Sequence, residues 1–342
     1  MPLFEALSQL DSGFKFIGTS SMSRKAKLLG ALGSISSTKE RTRQLLEFSP
    51  SVANSLEKSC IALLDKLDSK PEAVLYWGAT NLPVGGKYSD LPYSIITDGP
   101  YDPDDPIYPD IWQPGRWQKQ YLDLQHRVFT GATQVFTLSE WARQKVIKVH
   151  GLDPSRVTKI GWGPLYCIGP AIERPTEGKK IILSVGHHWY LKGMDLVAAA
   201  GAQLASERDD VETIIIGDPH GLDIAPSKGV TLIPHSMPIA EVHEIMRRAA
   251  VLVVASRFDA SPHIIPEALQ YGVPVVGSNV CGIPEAIVGK PSCRVIGTGK
   301  DDLAKVLEEC LSPNNMSSST SKNEEIGWEK PASNLSMKMV KS

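Results

Sequence analysis

No two of the five cysteines in this 342-residue chain form a CxxC pair. Cys60, Cys167, Cys281, Cys293 and Cys310 are scattered and odd in number, which argues against a disulfide framework and a zinc site and points to a reducing compartment. No apolar run approaches the roughly 20 residues that a membrane-spanning helix needs. The opening MPLFEALSQLDSGFKF has neither the basic stretch nor the apolar core of a signal peptide, so the sequence predicts a cytoplasmic protein. An excess of one charge is missing as well. Thirty-six Lys and Arg face 38 Asp and Glu, a formal net charge of −2, and such a balance gives no overall pull toward nucleic acid or a membrane. His187 and His188 are adjacent rather than four apart on a helix, so no metal site is expected there. No repeat of solenoid length occurs.

What remains is a soluble globular composition, 42% hydrophobic and 22% charged, in a chain long enough for two domains. The C-terminal half reads as short apolar strands alternating with helices. KIILSVG (180–186) precedes MDLVAAAGAQLASE, VETIIIG and VTLI precede PIAEVHEIMRRAA, VLVVAS precedes PEALQYG, VPVVGS precedes IPEAI, and DDLAKVLEECL ends the series. Parallel strands need crossovers, so this alternation predicts a doubly wound parallel sheet with its ligand loops beyond the strands' carboxyl ends. Two such loops stand out, His187–Lys192 and Asp259–Pro266.

The N-terminal half offers AVLYWG (73–78), YSIIT (93–97) and TQVFT (133–137) as strands. SEWARQKVIKVHG follows as a helix with Ser139 as cap and Gly151 as terminator. The predicted division is an acceptor domain over 1–165 that looks incomplete, a nucleotide-binding domain over 166–311, and a tail over 312–342. GPLYCIGPAIERPTEGKK (163–180) is the expected hinge. The tail is serine-rich, yet IGWEKPASNLSMKMV keeps a tryptophan and spaced apolar residues, which predicts docking rather than disorder.

The loop FDASPHIIPEALQYGVPVV places Asp259 before a proline-rich turn and Glu267 after it. On spacing alone they are surface acids, the second favoured by the helix dipole. The backbone N–H groups at the start of this helix can also hold a diphosphate. With Pro266 as the first helical residue, Glu267 falls in the opening turn, where a carboxylate suits the two hydroxyls of a ribose.

This stretch resembles the E-x7-E segment of retaining glycosyltransferases of the GT-B fold, family 4 (glycosyl transferases group 1). LSVGHHWYLKGMDLV is similar to that family's VGRxxxxKGxDxL. TLSEWARQKVIKVHGLDPSRVTKIGWG, SNVCGIPEAIVG and IGWEKPASNL resemble three further pieces, in the family's order, over about residues 73–340. The resemblance implies two Rossmann-like doubly wound domains facing across a cleft. It also implies metal-independent transfer of a sugar, with retained configuration, from a nucleotide-diphosphate sugar to a glycan, lipid or small-molecule hydroxyl, without a cofactor. By position, Glu267 would hold the ribose and Asp259 the donor sugar. Lys192, His187, Gly186 and the backbone of Ala260, Ser261, His263 and Ile264 would bind the diphosphate, and Asp98 in SIITDGP would stand near the acceptor.

Three departures accompany the likeness. His187 replaces an arginine, losing a fixed two-pronged phosphate grip. Asp259 is one methylene shorter than the usual glutamate. FKFIGTSSMSR carries one glycine where the family has a Gly-Gly loop, which reads as a shortened or diverged N-terminus. They keep open a catalytically impaired binding or regulatory relative, and another GT-B enzyme such as an epimerase or phosphorylase. Asp102-x-Asp104 in YDPDDP has the shape of a metal-binding DxD but reads as an acidic turn among prolines. Residues 24–43 hold six Lys or Arg against one Glu, which reads as a solvated helix face or as peripheral contact with anionic lipid.

Overall fold

The computed structural model describes residues 2–10, 48–78, 86–106, 114–166, 178–219, 222–290, 293–297, 300–312 and 326–339. The basic stretch 24–43, the opening FKFIGTSSMSR and most of the expected hinge lie outside the described residues. By internal contacts the chain divides into an N-terminal unit of residues 4–161 with 332–342 and a C-terminal unit of residues 1–3 with 162–331.

In the N-terminal unit β1 (Val74–Trp77), β2 (Tyr93–Thr97), β3 (Gln134–Thr137) and β4 (Val157–Lys159) form a parallel sheet in the order β1-β2-β3-β4. Helices α2 (Pro50–Leu64), α3 (Gln118–Gly131) and α4 (Glu140–His150) belong to this unit, following a first helix α1 (Pro2–Leu10). Ser49 Oγ accepts the Val52 N–H at 3.4 Å and Pro50 occupies the first helical position of α2, where its missing N–H removes no helical bond. Ser139 Oγ accepts the Ala142 N–H at 3.1 Å and Gly151 closes α4 at φ 65°, as the sequence predicts. Ile95, Phe129, Val135 and Val146 fill the space between sheet and helices.

In the C-terminal unit six parallel strands lie in the order β10-β9-β8-β5-β6-β7. They are β5 (Lys180–Val185), β6 (Val211–Ile216), β7 (Val230–Ile233), β8 (Ala249–Val254), β9 (Val275–Ser278) and β10 (Arg294–Ile296). The chain starts at the middle with β5, steps outward to β7, then returns to the other side of β5 and steps outward to β10. This is the doubly wound order, and its direction reverses between β5 and β8. All six residues of β8 are buried, as a central parallel strand with both faces covered requires. The helices are α5 (Met194–Glu207), α6 (Ile239–Arg248), α7 (Ile264–Gln270), α8 (Ile283–Ile287) and α9 (Lys300–Cys310), and a last helix α10 spans Glu329–Met339.

One boundary differs from the sequence expectation: α7 begins at Ile264 rather than Pro266. Pro266 is tolerated as a third helical residue because the first turn's N–H groups have no partner four residues back. Trp328 is buried, and its Nε1–H donates to Pro164 O at 2.6 Å, so this part of the tail is anchored rather than solvated. Asn334 Nδ2 donates to Ile160 O within the N-terminal unit at 3.5 Å.

Candidate functional site

The switch point between β5 and β8 brings the two loops singled out in the sequence into contact. The Arg257 N–H donates to Leu191 O at 2.8 Å. Gly193 stands at φ +68°, and a Cβ there would lie 2.0 Å from the carbonyl oxygen of Ala255. Only glycine fits a left-handed backbone pressed against a neighbouring strand end. Gly186 serves similarly: a Cβ would meet the Lys192 stem at 3.1 Å, so the bare backbone lets that side chain cross it.

Lys192 Nζ donates to Asp259 Oδ2 at 2.6 Å, and both side chains are only partly exposed. The lysine predicted for the diphosphate and the carboxylate predicted for the sugar are thus neighbours. Arg257, the other cation of these loops, forks onto both oxygens of Asp195 at 2.7 Å each and lies over the exposed Tyr190 ring, 4.2 Å from its centroid. The Asp195 bonds hold its guanidinium further into the charged range. Arg257 is therefore committed to the protein. His187 is exposed and half-buried His188 takes a positive φ of 57°.

Past β8 the chain turns through Ala260 and Ser261, both buried, to half-buried His263 and Ile264. Among the described residues no acceptor takes up the N–H groups of Ala260, Ser261, His263 or Ile264. Segment 162–166 is fastened across this turn by side-chain bonds. His263 Nδ1 donates to Gly163 O at 2.7 Å, and Trp162 Nε1 to Pro262 O at 3.4 Å. Gly163 also leaves room for Trp328, because a Cβ there would lie 2.8 Å from that ring.

Glu267 is 3% exposed and held by groups of its own unit. Its Oε1 accepts the N–H groups of Leu165 at 3.1 Å and Tyr166 at 3.3 Å. Its Oε2 faces His243 Nε2 at 3.3 Å, near but off the line of a hydrogen bond. His243 Nδ1 is 2.7 Å from the Tyr271 hydroxyl. A carboxylate offers about four lone-pair directions, so one direction on Oε2 remains for a ligand in this arrangement. Sequence reasoning placed Glu267 but missed His243, Tyr271 and the two amides. The one available signal was a histidine on the apolar face of α6, between Val242 and Met246, which are also buried.

Asp98 stands elsewhere, exposed at the carboxyl end of β2 in the N-terminal unit. The acids after it are an internal structure. Asp102 is 3% exposed, its Oδ1 accepts the Asp104 N–H at 3.1 Å, and Lys145 binds both Asp102, at 3.1 Å, and Asp105. The acidic-turn reading fits, with a cation supplied from 40 residues further on. Among the described residues no three His, Cys, Asp or Glu side chains gather as a metal site, and no helix is long and apolar enough to cross a membrane.

Residues 170–326 match the family described as Glycosyl transferases group 1. D-inositol 3-phosphate glycosyltransferase of Gordonia bronchialis is 25% identical over 213 residues, which are 55% of this chain and 46% of that protein. The chain spans about half the length of the curated relatives it matches. Sucrose-phosphate synthase from Thermosynechococcus elongatus superposes with a TM-score of 0.63 at 16% identity, over 86% of this chain and 78% of that one. The Anabaena protein HepE, solved in complex with UDP and glucose, gives 0.61 at 14% identity, over 87% and 83%. At such identities the likeness is one of fold. The α/β architecture with parallel sheets in two Rossmann-like units is that of the GT-B glycosyltransferases.

Proposed function

We propose that the chain is a retaining glycosyltransferase that moves a sugar from a nucleoside-diphosphate sugar to a hydroxyl acceptor without a metal ion. The observation that supports this best is the junction of the β5 and β8 loops. There Lys192, Asp259 and the amides of Ala260, Ser261, His263 and Ile264, which no acceptor among the described residues takes up, share the switch point of the C-terminal sheet. The donor's diphosphate would take Lys192 and the amides of Ala260, Ser261, His263 and Ile264, with His187 and the bare backbone of Gly186 at its edge. Charge developing on that leaving group is where such a site gains most of its rate, because the donors are already oriented. Asp259 would accept hydroxyls of the sugar, leaving Lys192 to the phosphates.

In the reaction the bond from C1 to the diphosphate oxygen breaks and a bond from C1 to the acceptor oxygen forms on the same face. The acceptor's proton departs with the diphosphate. Asp98, exposed at the end of β2, is the N-terminal unit's candidate for contact with the acceptor. Glu267 would bind one ribose hydroxyl through the open direction on Oε2. Taking the second hydroxyl requires the Leu165 and Tyr166 amides to withdraw. No resident cofactor takes part in this scheme.

The test is product analysis with a panel of nucleotide sugars and added EDTA. The expected product is a glycoside with the donor's anomeric configuration, formed at an undiminished rate in EDTA and lost in Glu267→Ala with the fold intact. An inverted product, or full activity in that variant, overturns the assignment. A second reading, a donor-binding relative without turnover, is favoured by the protein's own occupation of Asp259 and Glu267. Steady turnover of any nucleotide sugar removes it.

A further inference from the structure

We infer that His243 is the positioning residue that aims the Glu267 carboxylate, and that the Tyr271 hydroxyl fixes the imidazole proton by which it does so. This rests on the donor-site reading above. The three groups form a buried row: Tyr271 Oη is 2.7 Å from His243 Nδ1, and His243 Nε2 is 3.3 Å from Glu267 Oε2. His243 is 0% exposed and Tyr271 is buried. A histidine buried among Val242 and Met246 costs stability that a leucine there would not, unless its nitrogens are used.

A neutral imidazole carries one proton. With that proton on Nδ1, the ring donates to Tyr271 and its bare Nε2 lone pair faces a carboxylate oxygen in a dry site, which is repulsive. With the proton on Nε2, Tyr271 donates to Nδ1 and Nε2–H points toward Glu267. The second arrangement uses every polar atom in the row. A small turn of the carboxylate then brings Nε2–H into line with Oε2. Tyr271 is itself held in place, since the Arg247 guanidinium lies 5.1 Å from its ring centroid. The Leu165 and Tyr166 amides hold Oε1 from the other side, so His243 determines where the open lone pair of Oε2 points. The chemical class it serves is the vicinal diol of a ribose.

The experiment titrates the full chain with UDP, GDP and ADP by calorimetry, in the wild type, Tyr271→Phe, His243→Leu, His243→Gln and Glu267→Gln. A hydrogen bond to a charged group is worth about 1.5–3 kcal/mol, so His243→Leu is expected to weaken the nucleotide that binds by about 10- to 100-fold. Tyr271→Phe, which keeps the ring and its packing, should weaken it by about 3- to 10-fold. His243→Gln places an amide donor near the same point and should restore most of the affinity. With a nucleotide sugar as substrate, KM should rise in the weakened variants while kcat stays within about twofold. In parallel, nitrogen NMR of histidine-labelled protein should show His243 protonated on Nε2 and bare on Nδ1.

Unchanged affinity in Tyr271→Phe and in every folded His243 variant, with Glu267→Gln impaired, overturns the inference. So does a proton on Nδ1. If the wild type binds none of the three nucleotides, the donor-site reading itself falls, and the NMR result alone then decides whether His243 aims Glu267.

Discussion

Two side chains, one buried and one partly exposed, set the behaviour of this protein at the scale of single residues. His150 ends α4 at 6% exposure, stacked on Phe129 at 4.5 Å, and among the described residues neither ring nitrogen has a hydrogen-bond partner. Burial, assisted by His126, lowers its pKa from the usual 6.5 to about 4. The unfolded chain therefore binds a proton near pH 6.5 that the folded chain refuses until about pH 4. Stability must then fall as pH drops through that window, by about 2 kcal/mol between pH 7.5 and pH 5 from this group alone. Urea unfolding of wild type and His150→Leu at those two pH values should show the variant losing less. The second side chain is Lys192. Its Nζ donates to Asp259 at 2.6 Å, and on the donor-site reading it exchanges that partner for phosphate. Lys192→Met should weaken nucleotide diphosphate binding by about 10- to 100-fold, measured by calorimetry, because a charged donor is lost. The two acids at 259 and 267 were visible in the sequence because they flank a turn at a strand's carboxyl end. His243 was not, because helical periodicity marks a face as buried without saying what it meets there.

The elements hold the site together through close backbone approaches. In the loop after β5, Gly193 is left-handed with the Ala255 carbonyl where its side chain would be. Gly193→Ala combines a positive φ with a clash, and an expected loss of about 2–5 kcal/mol shows in chemical denaturation. A fully stable variant would mean that β5 and β8 do not meet as described. In the N-terminal unit, Lys145 on α4 neutralises Asp102, which is 3% exposed. Lys145→Ala leaves that carboxylate to Lys148 at 3.8 Å, and a cost of about 3 kcal/mol in urea unfolding follows. Long apolar strands and well-capped helices were legible in the sequence: Ser139 and Gly151 mark both ends of α4. The three-residue strands β4 and β10 were not, since Val157–Lys159 and Arg294–Ile296 are too short for any alternation. Helix α2 escaped notice although Ser49-Pro50 is a good start signal. The Lys145 pairing escaped too, because its partners are 40 and 43 residues away in the chain.

For the molecule as a whole, the order of strands in the C-terminal sheet carries the functional reading. A doubly wound sheet has one place where neighbouring strands send their loops apart, and a ligand settles in the crevice between them. Lys192 and Asp259 come from the two loops at that place, and Glu267 from the helix that follows the second. The alternation of strands and helices foretold such a sheet, but strand order rests on which strands pair, and that is not written in local pattern. The measurement closest to the central claim is thermal unfolding of the chain with UDP, GDP and ADP, beside Glu267→Ala. A ligand at about 100 times its Kd stabilises by roughly 2.7 kcal/mol, a shift of several degrees in Tm. The expected result is that one nucleotide raises the Tm of the wild type and leaves Glu267→Ala unmoved. No shift with any of the three, or an equal shift in the variant, would contradict a nucleotide-donor site at this junction.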